Sequence, residues 1–254
     1  GDTLGGINLT VKITAPAPEV IRVQVAHHLG VQAKLPEFDL TFAEGFKPEI
    51  TENEEEVTVK SGSLALRIDR KNWSMRYERD GKLLTTSAGR DLGYMRTGWT
   101  GFAYDNDPNG KAFMRQQLGL SVNEHVYGLG ERFGAFIKNG QSVDIWNEDG
   151  GTSTDQSYKN IPFYLTDKGY GVFVNHPEKV SFEIATEQVA KVEFSVPGEN
   201  LDYFVINGPS MKEVLSRYTD LTGKPSLPAP WTFGLWLSTS FTTNYDEETV
   251  MSFI

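Results

Sequence analysis

The sequence predicts a mainly β protein, a large antiparallel β-sandwich followed by the first strand and helix of a further, parallel unit. Over most of the first 200 residues, apolar and polar side chains alternate with period two, as in strands with one buried face. Glycine accounts for 25 of 254 residues while proline, at 12, is ordinary, which favours many turns. One complete helix signal then precedes a proline-rich stretch and a continuous apolar run.

At least nine strands are predicted from this alternation, beginning with residues 7–13. Met75 and Tyr77 continue the pattern into Asp80-Gly81, a dipeptide typical of two-residue hairpin turns. The other alternating segments are Ile21–Val25, Leu64–Ile68, Val172–Val174, Val180–Ile184, Val192–Val196 and Phe204–Ile206. Because the alternation is regular, we expect antiparallel sheets that each have one buried and one wet face.

A helix is predicted over 209–222, where Pro209 suits the first turn and Gly223 ends the helix. Its apolar residues fall on one face, so we expect it to pack against the sandwich. The sandwich domain is therefore predicted to span residues 1–223. Three prolines within 224–230 then stiffen the chain and indicate a linker.

The remaining segment, 231–254, has the pattern of a strand followed by a helix. Trp231–Leu237 is almost continuously apolar, which predicts a strand buried on both faces, as in a parallel sheet. After a polar loop, Asn244 with Glu247 three residues later indicates a helix N-cap. The sequence ends within that helix, so we expect the chain to be a fragment of a larger protein.

Charge and composition narrow the classes of partner. Thirty-four acidic residues against 24 basic ones give a net charge of −10, which argues against nucleic acid and anionic membranes as partners. No apolar stretch reaches the 18 residues that a membrane span requires. With no cysteine, thiol catalysis, disulfides and zinc–thiolate sites are excluded. The four histidines are not grouped as metal ligands, and we expect neither a metal nor a cofactor.

The glycine-rich segment 128–134 does not match a phosphate-binding loop. Its spacing is G-x-G-x-x-x-G, no lysine ends it, and no strong helix signal follows it. We interpret its glycines as tight backbone turns.

The segment Asp144–Asp155 has the composition of a sugar-binding loop. It combines one indole with four carboxylates and several small hydroxyl residues. Aromatic faces stack on the C–H groups of sugars, and carboxylates accept hydrogen bonds from their hydroxyl groups. A long surface loop tied down by Trp146 is the structural alternative. In the loop after the predicted parallel strand, Phe241 faces either a ligand or the core.

Several long motifs resemble glycoside hydrolase family 31. They are VYGLGERFGAF, NGQSVDIWNEDGGTSTDQSYKNIPFYLT and GYGVFVNHP. The segments NGQSVDIWNEDGGTSTDQ and FGLWLSTSFTTNYDEETV are similar to the bacterial α-xylosidase branch of that family. The resemblance implies a galactose-mutarotase-like sandwich before a (β/α)8 barrel. It also implies a cytoplasmic enzyme that removes terminal α-linked xylose from xylo-oligosaccharides with retention of configuration.

By the same resemblance, two residues are expected to bind substrate. Asp149 matches a loop aspartate that reaches the barrel mouth and contacts sugar, and Phe241 matches an aromatic wall of the pocket. The family's two catalytic aspartates belong to later barrel strands. A barrel needs roughly 250 residues, and 231–254 supplies only its start, so no catalytic residue is assigned here. The expected partners are an α-xyloside oligosaccharide and the missing barrel of the same chain.

Other functions stay open at this point. An α-glucosidase of the same family, a stand-alone carbohydrate-binding sandwich and a mutarotase-type isomerase remain as alternatives. The sequence leaves a homo-oligomer open because nothing in it specifies an interface.

Overall fold

The computed structural model describes residues 7–30, 36–97, 110–148, 154–236 and 246–252. Within these ranges the chain forms sixteen strands, two α-helices and one short 3-10 helix. The strands are β1 (Thr10–Ala17), β2 (Val20–Ala26), β3 (Glu49–Glu52), β4 (Glu56–Ser61), β5 (Leu64–Asp69), β6 (Ser74–Arg79), β7 (Lys82–Ser87), β8 (Leu92–Arg96), β9 (Ala112–Gly119), β10 (Val126–Gly128), β11 (Gln141–Ile145), β12 (Phe163–Thr166), β13 (Tyr170–Val174), β14 (Val180–Ile184), β15 (Lys191–Pro197) and β16 (Asn200–Asn207). The helices are α1 (Met211–Thr222), the 3-10 helix (Pro230–Phe233) and α2 (Glu247–Ser252).

The strands form three antiparallel sheets, as the alternating pattern predicted. Sheet A has the order β1-β2-β16-β13-β12-β10, sheet B the order β3-β4-β5-β6-β7, and sheet C the order β11-β14-β15-β9-β8. Every strand pairing within them is antiparallel. The predicted hairpin turn joins β6 to β7, where Asp80 and Gly81 have φ angles of 48° and 76°. Positive φ at both central residues is what a two-residue hairpin of this kind requires.

One apolar core lies between sheet A and the other two sheets. It includes Val23 of sheet A, Leu66 of sheet B and Phe194 of sheet C, all fully buried. Sheets B and C lie side by side, and the Thr85 hydroxyl of β7 donates to the Gly119 carbonyl of β9 at 2.7 Å. The sandwich therefore has sheet A as one layer and sheets B and C as the other.

The centre of sheet A is buried on both faces, so the expectation of one wet face for each sheet is wrong here. A second apolar cluster on its outer face joins β12, β13 and β16 to α1. Phe163 stacks on Tyr218 of α1 with ring centroids 4.0 Å apart. The Thr41 amide donates to the Leu221 carbonyl at 2.9 Å, which brings a second covering segment onto the same face.

The predicted helix over 209–222 is confirmed as α1, Met211–Thr222. Ser210 is its N-cap, because its hydroxyl accepts from the Glu213 amide while the Glu213 carboxylate accepts from the Ser210 hydroxyl at 2.9 Å. In a capping box the carboxylate would accept from the Ser210 backbone N–H, so this cap has only the hydroxyl half of that motif. Gly223 ends the helix with φ of 99°.

The predicted strand over Trp231–Leu237 is wrong for the residues that the structure describes. The chain divides into two units, Gly1–Gly223 and Lys224–Ile254, and in the second unit Pro230–Phe233 form the 3-10 helix. The Gly234 amide donates to the Trp231 carbonyl at 3.1 Å, a local bond within one turn. A parallel strand is stable only between hydrogen-bonded neighbours, and no described strand pairs with this run. Its apolar sequence therefore does not produce a strand here.

The helix that the sequence placed after this run is present as α2, but its cap differs. The Asp246 carboxylate accepts from the Thr249 amide at 2.8 Å, whereas the predicted cap, Asn244, lies outside the described residues. Among the helices described, none has the length and apolar character needed to cross a membrane.

Candidate functional site

Both substrate-binding residues expected from the sequence, Asp149 and Phe241, lie outside the described residues. The structure does describe the two flanks of the segment that carries Asp149. One flank continues from β11 through Trp146 to Glu148, and the other begins at Thr154. The geometry of these flanks fixes where the segment between them leaves the sandwich and where it returns.

The two flanks are joined by backbone contacts. Asn147 and Ser157 form an isolated parallel bridge, and the Glu148 amide donates to the Ser157 carbonyl at 3.1 Å. The Gln156 side-chain amide also donates to the Glu148 carboxylate at 2.8 Å. The segment between the flanks is therefore held closed at its base.

Arg132 connects both flanks to the body of the sandwich. Its guanidinium donates to the carbonyls of Asp144 and Asp155, each at 2.8 Å, and to the carbonyl of Leu129 at 3.2 Å. It also donates to the Asn160 side-chain oxygen. A guanidinium suits this position because its donors lie in a rigid planar fork that reaches several acceptors at once.

Asn160 completes this arrangement from the second flank. Its amide nitrogen donates to the carbonyls of Trp146 at 2.8 Å and Ser157 at 2.7 Å, and to the Asn147 side chain at 2.9 Å. We call Arg132 and Asn160 together the loop clamp. Their donors satisfy backbone carbonyls that a long loop would otherwise leave to water.

The glycine-rich segment supplies the clamp's arginine. Gly130 has φ of 88°, and a Cβ there would lie 2.0 Å from the Lys159 carbonyl oxygen. The Glu131 amide donates to that same carbonyl at 2.9 Å, so the backbone of this motif and that of the second flank are in direct contact. The interpretation of these glycines as tight backbone turns is confirmed at Gly130 and at Gly128, whose φ is 106°, but Gly134 is not at positive φ.

Charge at the clamp is balanced locally. Burial lowers the pKa of Arg132, and the nearby Asp155 and Asp144 partly oppose that shift. Burial would raise the pKa of Asp144, but hydrogen bonds from Lys179 and Ser181 outweigh it, so this pKa lies below its ordinary value. The Lys179 ammonium lies 2.6 Å from the Asp144 carboxylate. Asp144 is therefore a structural anion rather than a proton donor.

The indole of Trp146 is 51 % exposed and lines a groove of about 530 Å³ between the first flank and α1. The structural alternative from the sequence was a long surface loop tied down by Trp146. In the described residues the attachment at Trp146 is through its backbone carbonyl, which accepts from Asn160, and not through burial of the indole. Trp146 instead presents an aromatic surface beside polar side chains.

The histidines are spread over separate places. His125 pairs with Asp167 at 2.8 Å on the surface, and His27 stacks on Tyr94 with ring centroids 3.9 Å apart. His176 lines the groove beside Trp146. No group of three or more potential ligand side chains among the described residues could hold a metal ion.

Neither clamp residue was singled out from the sequence. Each belongs to a quoted motif, Arg132 to VYGLGERFGAF and Asn160 to the KNIPF portion of the longer one. The two positions are 28 residues apart, and neither residue type alone indicates a clamp. The signal that could have found them is the pair of motifs that flank one candidate loop.

Comparison with known proteins decides the family. A family model described as the glycosyl hydrolase 31 N-terminal galactose mutarotase-like domain matches residues 10–183. The chain belongs to glycoside hydrolase family 31. Its sandwich is the N-terminal domain of that family, so the galactose-mutarotase-like sandwich expected from the resemblance is confirmed.

Two relatives match along the whole chain. An alpha-xylosidase of Emericella nidulans is 45 % identical over 267 residues, and alpha-xylosidase XylQ of Lactiplantibacillus pentosus is 45 % identical over 257 residues. Each alignment covers 100 % of this chain but only 34 % and 32 % of the respective relative. The chain thus spans about one third of the length of these relatives, which come from a fungus and a bacterium.

The fold also recurs in solved structures. A family 31 dextranase of Flavobacterium johnsoniae superposes with a TM-score of 0.74 at 22 % identity, covering 89 % of this chain and 29 % of the dextranase. This likeness supports the fold alone.

Proposed function

We propose that this chain is the N-terminal part of a retaining α-xylosidase that removes terminal α-linked xylose from xylo-oligosaccharides. The observation that carries the proposal is the 45 % identity to two alpha-xylosidases over the entire chain. The clamped loop supports it, since it gives the sandwich a fixed structure from which to reach a neighbouring catalytic domain. That domain is proposed to be a (β/α)8 barrel.

In this proposal the sandwich helps shape the pocket but does not perform the reaction. Retention requires two carboxyl groups about 5–5.5 Å apart on either side of the scissile bond. The resemblance assigns both to barrel strands beyond residue 254 and matches neither to Asp144, Glu148 or Asp246. We therefore propose that residues 1–254 alone are inactive.

The two substrate contacts have separate proposed roles. Asp149 accepts hydrogen bonds from sugar hydroxyls at the barrel mouth. Phe241 fills the space that the hydroxymethyl group of glucose would occupy, because xylose lacks that group. Exclusion by overlap in a pocket changes specificity by about 1–3 kcal/mol for one methylene-sized group, so the preference for xylose is strong but not absolute.

The test is hydrolysis of p-nitrophenyl α-xyloside and p-nitrophenyl α-glucoside by the longer protein and by residues 1–254. We expect the longer protein to prefer the xyloside and the shorter one to be inert. Preference for the glucoside would favour the α-glucosidase alternative. Activity of residues 1–254 would place the catalytic carboxylates inside this sequence and contradict the proposal.

The role of Asp149 is tested in the longer protein with Asp149→Ala. We expect kcat/KM on the xyloside to fall by about 10-fold or more, since one hydrogen bond to a charged group contributes roughly 1.5–3 kcal/mol. Glu54→Gln, an exposed change in the β3–β4 turn, is the control. Unchanged kinetics for Asp149→Ala would remove this residue from the site.

The enzyme is further proposed to be cytoplasmic, as its family resemblance implies. Fractionation of cells that express the longer protein tests this location. Activity in the medium or in an extracytoplasmic fraction would contradict it.

A further inference from the structure

The strand register brings three polar side chains together on the inner face of sheet A. Tyr170 of β13 lies opposite Thr166 of β12, and Tyr164 lies two residues before Thr166, so both tyrosines point to the same face. On the other side of β12, Thr166 lies opposite Val126 of β10. Glu124 lies two residues before Val126, and all of these side chains are buried. The two tyrosines and Glu124 therefore share one region of the core.

Each of these three side chains carries an atom without a hydrogen-bond partner. The atoms are Oε1 of Glu124 and the hydroxyl oxygens of Tyr164 and Tyr170, and the part of the chain that the structure describes supplies no partner for them. Both tyrosines are fully buried, and Glu124 is 3 % exposed. A buried polar atom that bonds to nothing loses its bonds to water on folding and gains none in return, so native proteins contain few of them. Three in one region therefore indicate a bound molecule that supplies the missing bonds.

The three groups are close enough to affect one another's ionisation. Burial raises the pKa of the Tyr170 phenol well above its ordinary value, and the neighbouring Tyr164 and Glu124 raise it further. Burial also raises the pKa of the Tyr164 phenol, and Glu124 again adds to the shift. Both phenols are therefore neutral hydroxyl groups, each with one hydrogen to donate and lone pairs to accept.

The hydrogen-bonding capacity of the three atoms matches that of water. A carboxylate oxygen only accepts hydrogen bonds, whereas a phenol hydroxyl both donates and accepts. A water molecule between them donates one hydrogen to Glu124, donates the other to one tyrosine and accepts from the second. Internal waters typically make about three hydrogen bonds to buried polar groups that have no other partner. We propose that Glu124, Tyr164 and Tyr170 bind one internal water molecule.

The surroundings of Glu124 disfavour a cation in this place. The Lys168 ammonium lies 3.6 Å from Oε2 of Glu124 and already balances the charge of the carboxylate. The same oxygen accepts from the Ser121 amide at 2.9 Å, so Oε1 is the atom left for a ligand. Because the three side chains are shut off from solvent, the ligand is a small neutral molecule, and water is the one present at high concentration.

The water joins parts of the sandwich that are distant in sequence. Tyr164 and Tyr170 belong to β12 and β13, whereas Glu124 lies in the connection between β9 and β10. The side-chain nitrogen of Asn139 donates to the Glu124 carbonyl at 2.9 Å, and its side-chain oxygen accepts from the Val126 amide at 2.9 Å. The water therefore attaches this connection to sheet A at the point where the chain enters β10.

The first test is a crystal structure of the longer protein at a resolution that shows ordered water. We expect one electron-density peak within about 2.5–3.0 Å of all three oxygen atoms. The peak should disappear in the double variant Tyr164→Phe/Tyr170→Phe, because one remaining partner is too few to hold an internal water. It should remain in the control, Tyr203→Phe, since the hydroxyl of this buried tyrosine donates to Gln116 at 3.3 Å. The site lies within the sandwich, so this test does not depend on which glycoside the longer protein hydrolyses.

The second test is thermal unfolding of residues 1–254. The buried residues of both apolar clusters lie between Val20 and Leu221, so the sandwich unit contains its own core. Tyr164→Phe and Tyr170→Phe each remove one bond to the water, and each should lower the midpoint temperature by about 2–4 °C. When both are changed the water is already lost, so the combined shift should be smaller than the sum of the two. A hydroxyl that bonds to nothing behaves in the opposite way, since its removal leaves the midpoint unchanged or raises it.

Any one of three results would overturn the inference. The first is a crystal structure with no density peak between the three oxygen atoms, or with a peak that persists in the double variant. The second is a midpoint temperature that neither single variant lowers. The third is a midpoint that falls for Tyr170→Phe but not for Tyr164→Phe, because this would indicate a direct bond between Tyr170 and Glu124 instead of a shared water.

Discussion

The loop clamp allows a stability prediction at Arg132. Replacing it with methionine keeps much of the side-chain length but removes every donor. The change takes hydrogen bonds from the carbonyls of Leu129, Asp144 and Asp155 and from the Asn160 side chain. Hydrogen bonds to a charged group contribute about 1.5–3 kcal/mol each, but Arg132 is only half-buried and water replaces part of the loss. We therefore expect Arg132→Met to lower the free energy of unfolding by about 2–4 kcal/mol.

The measurement is urea and thermal unfolding of residues 1–254, followed by circular dichroism. For a domain of this size, 1 kcal/mol corresponds to about 2–4 °C, so the midpoint temperature should fall by roughly 4–16 °C. Arg70→Met is the matched control, because Arg70 forms an exposed ion pair with Glu52, a class that contributes about 0–1 kcal/mol. Arg132→Lys should not restore stability, since one ammonium cannot reach carbonyls on two flanks. Equal losses for Arg132→Met and Arg70→Met would refute the clamp.

Three further changes test other parts of the structure. Gly130→Ala should lower the free energy of unfolding by about 3 kcal/mol or more, because its Cβ would lie 2.0 Å from a carbonyl oxygen. Gly140→Ala is the control, since Gly140 is also at positive φ but has open space around it, and it should lower the free energy of unfolding by about 1 kcal/mol. Equal losses for the two variants in urea unfolding would contradict this prediction. Asp144 has a lowered pKa, so its stabilising effect is complete above the ordinary value of 3.8 and is lost as the pH falls through the lower folded pKa. The unfolding free energies of the protein and of Asp144→Asn should therefore converge only below pH 3.8, and convergence above that pH would be inconsistent. In the longer protein, Phe241→Ala should reduce the kcat/KM ratio of xyloside to glucoside by about 10-fold or more, and a constant ratio would exclude Phe241 from sugar selection.

The sequence was most informative where structure is determined locally. The Asp80-Gly81 turn was predicted because both residues tolerate positive φ, and helix α1 because its apolar face, cap and final glycine agree. The wet faces assigned to the central strands of sheet A were wrong for a different reason. Whether a strand's outer face is covered depends on where α1 and the segment around Thr41 pack. The alternation of apolar and polar residues within the strand does not indicate this packing.

The failure at Trp231 has a related cause. Its apolar run resembles a doubly buried strand, yet a strand forms only when neighbouring strands supply hydrogen bonds. Among the described residues none pairs with it, and Trp231 remains 69 % exposed. Four of the exposed apolar side chains in this unit lie within six residues, namely Trp231, Phe233, Leu235 and Trp236. An apolar surface of this kind is expected of a segment that packs against another part of a protein.

The loop clamp shows a third limit of sequence reasoning and also what it can achieve. The composition of residues 144–155 indicated a sugar-binding loop, and the glycines of segment 128–134 indicated tight backbone turns. The sequence did not indicate that these two segments contact each other. This contact depends on Gly130 allowing the Lys159 carbonyl to approach, which places Arg132 between the two flanks. Two of the three motifs that carry the family resemblance are thus in physical contact at the base of one loop. A substitution in either motif should therefore weaken the loop as well as its own segment. We expect Arg132 and Asn160 to behave as one unit, so the loss of stability when both are replaced should be smaller than the sum of the two separate losses.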